Sequence, residues 1–96
     1  MALTEAEIMA MTNNQALALL VGVQLGWSVK RATVDYTLAF QVEETVKLQD
    51  RMVEYTNNLR SVVQAEDTEG LNPNWLMLHA SPLQRCKAYL LLDAVG

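Results

Sequence analysis

Cysteine is almost absent from this sequence, whose 96 residues include only Cys86. A single cysteine cannot form a disulfide within the chain, so we expect a protein of a reducing compartment, the cytoplasm. The motifs of common catalytic and cofactor sites are missing too: there is no C-x-x-C, no phosphate-binding glycine loop and no G-x-S-x-G. We therefore expect neither enzyme activity nor a cofactor, and no small-molecule substrate is evident.

Positive charge is also scarce, because the chain has 7 Lys and Arg but 11 Asp and Glu, which gives a formal net charge of -4. Proteins that bind nucleic acid or anionic membranes use basic side chains to neutralise phosphates, so this balance argues against both. Lys30 and Arg31 lie beside Trp27. Two cations next to one aromatic are better explained as favourable charges at a helix end than as a nucleic-acid contact.

Charge is missing altogether from residues 8–29. That run is long enough to cross a bilayer, but Asn and Gln interrupt it, and its strictly apolar part covers only residues 16–23. We therefore expect a buried helix rather than a membrane span, and a membrane-associated helix at 8–29 is the weaker alternative.

Glycine and proline do not occur between Thr33 and Ala65, and no segment alternates apolar and polar residues as a strand does. Hydrophobic residues make up 51% of the chain and charged residues 19%, which excludes a disordered chain. The sequence predicts one all-α domain over residues 1–96, a small bundle of four to five helices. Its longest, central helix would cover about 34–65.

Helix starts are marked by capping patterns. Thr4 with Glu7 and Thr12 with Gln15 have the spacing of a capping box, which predicts helices from Glu5 and from about residue 13. The second helix is expected to end near residues 30–31. We prefer a bend at 31–33, although one continuous helix over 13–65 is the alternative.

Later in the chain, proline follows a capping residue twice, in Asn72-Pro73 and Ser81-Pro82. Proline suits the first position of a helix, so two short helices, or one helix kinked at Pro82, should fill 73–95. Gly70 precedes them and is suited to a left-handed turn.

The long helix carries an apolar seam at alternating three- and four-residue steps, comprising Leu48, Met52, Tyr55 and Leu59. This is the a/d pattern of helices that pack side by side. The opposite face is charged and includes Glu43, Glu44 and Lys47. Glu43 and Lys47 are four residues apart, which predicts an attractive pair on a solvated face.

The second helix carries a stripe of small residues at Ala18, Gly22 and Gly26, each four residues after the last. Glycine costs a helix about 0.5–1 kcal/mol relative to alanine, so its repetition needs a reason. Small side chains let another backbone approach closely. We expect a helix to pack there, and we favour the long helix of the same chain over a neighbouring copy.

His79 and Cys86 are the only strong candidates for metal or nucleophilic chemistry. They are seven residues apart, or about 10 Å along a helix, whereas a metal ion needs helical ligands three or four apart. Both continue a 3/4 apolar seam with Leu76, Leu83 and Leu90. We interpret Cys86 as a small core residue and His79 as a seam or boundary residue, and we expect no metal site.

These features predict a non-catalytic helical assembly or protein–protein interaction module that acts through helix packing. Self-association into a homo-oligomer is the first expectation for its partner. The alternative is a small acidic accessory protein or chaperone, of the secretion-system or phage type, that holds a client helix in an apolar groove.

Overall fold

A computed structural model describes residues 4–22 and 34–94 of the chain. Helices make up most of these two ranges. The six α-helices in these ranges are α1 (Glu5–Met9), α2 (Asn13–Gly22), α3 (Tyr36–Leu48), α4 (Met52–Glu66), α5 (Pro73–Leu78) and α6 (Pro82–Leu90), followed by a 3-10 turn at Leu91–Asp93. No strand occurs in these two ranges, so the all-α prediction is confirmed. The helices are more numerous than the four or five predicted.

The predicted capping boxes at the first two helices are confirmed. The Thr4 hydroxyl accepts a hydrogen bond from the backbone of Glu7, whose carboxylate accepts one from the backbone of Thr4. At α2 the same exchange joins Thr12 and Gln15, with distances of 2.9 and 3.4 Å. Each box satisfies backbone N–H groups that a helix start leaves without partners.

The two proline-containing starts are confirmed as separate helices. Asn72 and Ser81 are the N-caps, with Pro73 and Pro82 directly after them, and the Gln84 side chain completes a capping box with Ser81. Gly70 takes the predicted left-handed conformation, with φ of 72°.

The predicted long helix over 34–65 is wrong, since α3 and α4 are separate. At the junction Asp50 has a left-handed φ of 56°. Its N–H donates to the carbonyl of Lys47, and the N–H of Arg51 donates to that of Val46, both at 3.1 Å. These two bonds form a Schellman motif, a helix ending that usually has glycine where Asp50 stands. The sequence does not predict this end of α3, because aspartate is a much weaker indicator of a Schellman motif than glycine.

Arg51 fixes the corner between the two helices. Its guanidinium donates to the carboxylate of Asp93 at 3.1 Å, to the carbonyl of Leu92 at 3.0 Å and to Glu54 at 3.0 Å. These bonds join the α3–α4 corner to the 3-10 turn after α6.

A continuous helix over 13–65 is also excluded by the start of α3. Asp35 is extended, with φ of -127° and ψ of 178°, and caps α3 by accepting a hydrogen bond from Leu38 N at 2.9 Å. The predicted bend at 31–33, and the end of the second helix near 30–31, lie outside the described residues.

Helix α6 lies at the centre of the packing, in contact with α1, α2, α3, α4 and the 3-10 turn. Its residues Cys86, Lys87, Ala88 and Tyr89 are all buried. The core around them is largely aliphatic and includes Ile8, Leu38, Val42, Val46, Leu59 and Val63. Among the described helices none is long and apolar enough to span a bilayer.

The backbone at Asp50 gives a test by substitution. Asp50→Gly should raise the free energy of unfolding by up to about 1 kcal/mol, because glycine adopts a positive φ without steric cost. Gly70→Ala, also at positive φ, should lower it by about 1 kcal/mol. No heavy atom lies within 4 Å of the added Cβ, so that loss reports the backbone alone. Denaturant unfolding measures both, and a loss of stability in Asp50→Gly would contradict the assignment.

Candidate interaction surface

The predicted seam is divided by the α3–α4 corner. Leu48 is 84% exposed and Met52 is 52% exposed, whereas Tyr55 and Leu59 are 7% and 6% exposed. A heptad seam faces one direction only while the helix is continuous, and here α3 ends at Leu48 and α4 begins at Met52. Tyr55 and Leu59 therefore belong to the core, and Leu48 and Met52 to the surface.

A groove follows the junction of α3 and α4. Its volume is about 460 Å³, and its lining includes the apolar side chains of Phe40 and Met52 and the charged side chains of Glu44 and Lys47. Phe40 is 55% exposed and lies against Tyr36, with the ring centroids 6.2 Å apart. Leu48 and Val53, each next in sequence to a residue that lines the groove, are exposed as well. We call this set of residues, Tyr36, Phe40, Leu48, Met52 and Val53, the apolar surface.

Two residues that line the groove, Glu43 and Tyr55, belong to a hydrogen-bonded cluster that the sequence did not predict. Tyr55 donates its hydroxyl to Glu43 Oε2 at 2.7 Å, and Arg85 Nη1 donates to the same oxygen at 2.9 Å. Burial, and then the bond to Glu43, raises the pKa of Tyr55. Glu43 thus pairs with Arg85, not with Lys47 as its spacing suggested, because α6 brings Arg85 beneath α3.

Lys87 is a second polar residue that the sequence left unnoticed. It is 5% exposed, and its ammonium donates to the carbonyl of Met9 at 2.8 Å and to Glu66 Oε2 at 3.0 Å. A buried charge is tolerated only when it is paired and hydrogen-bonded. Lys87 therefore links α1, α4 and α6 within the fold.

The small-residue stripe is only partly within the described structure. Ala18 is exposed on α2, Gly22 is the last described residue of α2, and Gly26 lies outside the described residues. In the described ranges α2 packs mainly against α6, whereas the predicted partner was the segment that α3 and α4 make up.

Cys86 is buried as predicted, and burial, followed by the charge of Glu43, raises the pKa of its thiol to about 12. His79 is exposed at the end of α5 and lies against Trp75, with the ring centroids 4.3 Å apart and the rings tilted by 39°. In the ranges that the structure describes, no three His, Cys, Asp or Glu side chains converge as metal ligands.

A second cleft, of about 300 Å³, lies beside Trp75 and His79 and includes Glu66 and Asp67. These carboxylates already have partners. Glu66 is bonded to Lys87, and Asp67 accepts from the backbone N–H groups of Glu69 and Leu71. Asp67 thus holds the α4–α5 connection in place, and Glu66 joins the end of α4 to α6.

Comparison with known proteins gives no match among protein-family models, curated proteins or solved structures. What the chain does is therefore inferred from its own surfaces. The apolar surface is the strongest candidate for an interaction site. Its members Tyr36 and Phe40 are four residues apart on the face of α3 opposite Leu38 and Val42, and this spacing is a signal that the sequence contains.

The role of Lys87 can be tested by Lys87→Met, which keeps the length of the side chain and removes its charge. We expect the free energy of unfolding to fall by about 1–3 kcal/mol, because two charge-assisted hydrogen bonds are lost. Arg60→Met is the control, since Arg60 is exposed and forms no ion pair with the described residues. It should change stability by less than about 0.5 kcal/mol. Equal losses in the two variants would contradict the role of Lys87.

The raised pKa of Cys86 predicts a pH dependence. The folded protein keeps the thiol protonated while the unfolded chain loses the proton above the ordinary value of 9.0, so stability is present below that pH and is lost as pH rises toward about 12. Cys86→Ala removes this contribution. As pH rises above 9.0, the unfolding free energy of the variant should fall less steeply than that of the wild type. The two slopes should differ by up to about 1.4 kcal/mol per pH unit. Equal slopes in denaturant unfolding would contradict the prediction.

Proposed function

We propose that this chain is a non-catalytic protein–protein interaction module that acts through helix packing. The observation that carries the proposal is the apolar surface, whose five side chains are each more than half exposed. Burying a large apolar side chain against a partner gains about 1.5–3 kcal/mol, and contiguous exposed apolar patches mark interaction sites in soluble proteins.

The chemistry around the groove supports a binding role rather than catalysis. Glu43 is held by Arg85 and Tyr55 at 2.9 and 2.7 Å, so its carboxylate is committed to the fold. The nearby Cys86 is fully buried, and its raised pKa keeps the thiol in its unreactive form. Neither Glu43 nor Cys86 is therefore free to act as a general acid, base or nucleophile.

A second candidate function is that of a small accessory protein or chaperone that holds a client helix. The groove of about 460 Å³ favours it, because an apolar cleft between two helices can receive a third. Both functions use the same surface, and the identity of the bound protein separates them. The lone cysteine, which has no disulfide partner in the chain, supports a reducing compartment such as the cytoplasm.

Site-specific photo-crosslinking in the cells that produce the protein tests the proposal. A benzophenone amino acid replaces Phe40 on the apolar surface or, as the matched control, Gln64 on the exposed side of α4. We expect a crosslinked protein, identified by mass spectrometry, from position 40 and none from position 64.

The product identifies the function. A crosslink to a second copy supports a self-associating module, and a crosslink to a different protein supports an accessory or chaperone role. Absence of any product from position 40, or equal products from the two positions, would overturn the proposal.

A further inference from the structure

The outer face of α3 has an ordered sequence of side chains. Tyr36, Phe40, Glu44 and Lys47 follow one another at i, i+4, i+8 and i+11, and all four are exposed. They lie opposite the buried face of α3, which contains Leu38, Val42 and Val46. At 1.5 Å per residue this stripe is about 16 Å long. It begins with two aromatic rings and ends with two opposite charges.

Neither charge of the stripe has a partner in the described part of the chain. Glu44 and Lys47 form no ion pair with the described residues, whereas the adjacent Glu43 is bonded to Arg85 at 2.9 Å. Each is thus available to a charge from outside the chain. Together they are neutral, on a protein whose formal net charge is -4. A copy of the chain approaching along this stripe therefore meets less repulsion than it would meet elsewhere on an acidic surface.

A two-fold axis through the point midway between Glu44 and Lys47 makes the stripe complementary to itself. Two α3 helices then run antiparallel, and Glu44 of each copy lies opposite Lys47 of the other. The same rotation brings Phe40 of each copy to the C-terminal end of α3 in the other copy. Leu48, at that end, and Met52, just beyond it, are exposed there. An isologous interface must be self-complementary in this way, with each contact made twice.

We propose that the partner of the apolar surface is a second copy of this chain, packed through antiparallel α3 helices, with the two Glu44–Lys47 pairs fixing the register. The proposal rests on the proposed function and names its partner. A different protein would supply its own charges, and the spacing of Glu44 and Lys47 about a two-fold point would then have no consequence.

Charge reversal tests the arrangement by sedimentation equilibrium at low ionic strength. The wild type should show a concentration-dependent monomer–dimer equilibrium. Glu44→Lys and Lys47→Glu, each alone, should weaken the dimer by about tenfold or more, because each places like charges opposite each other at both contacts. Both sites are exposed, so the fold should be kept, and circular dichroism with thermal melting checks this.

Two restorations follow only from the proposed pairing. The double variant Glu44→Lys/Lys47→Glu reverses both pairs and should dimerise like the wild type. An equimolar mixture of the two single variants should form a heterodimer, because each copy then carries the charges that the other lacks. A protein partner of any other kind predicts neither result.

A monomeric wild type, single variants that dimerise as the wild type does, or a mixture that stays monomeric would overturn the proposal. A monomeric wild type that crosslinks a different protein from position 40 would overturn this inference and leave the proposed function intact. Absence of any crosslink from position 40 would remove the proposed function itself.

Discussion

The burial of α6 is the constraint on which the arrangement of the other helices depends. Four successive residues, Cys86 to Tyr89, are buried, so α6 has no solvent-facing side along that turn and must be covered from several directions. Helices α1, α2, α3 and α4 all contact it. One of the buried residues is Lys87, which requires both the carbonyl of Met9 and the carboxylate of Glu66 at bonding distance. A buried cation thereby sets where α1 and the end of α4 can lie.

Covering so short a helix also explains why α3 and α4 are separate. A single straight helix over 34–65 could contact α6 along only one line, whereas two helices joined at Asp50 pack on it from different sides. Residues near the C-terminus of the chain stabilise the corner, since Arg51 donates hydrogen bonds to the carboxylate of Asp93 and to the carbonyl of Leu92. The same corner leaves Leu48 and Met52 exposed. The surface proposed for interaction is therefore a consequence of how the core closes.

Residues that act through local spacing were predicted well. The boxes at Thr4 and Thr12, the caps at Asn72 and Ser81, and the turn at Gly70 each depend on atoms within a few residues, so the sequence contains their whole cause. The bonds among Glu43, Tyr55 and Arg85 could not be predicted, because Arg85 is 42 residues from Glu43. Helical spacing assigned Glu43 to a solvated face, and only the packing of α6 shows that its carboxylate faces inward.

The sequence by itself determined the all-α class and most of the helix starts, because capping and helical periodicity operate over one or two turns. It also identified Cys86 as a buried side chain. Tertiary structure alone decided which half of the predicted seam is core and which is surface, since the answer depends on an aspartate taking the left-handed position that glycine usually occupies. That conformation costs free energy locally, and contacts distant in sequence, above all those of Arg51 and α6, offset the cost.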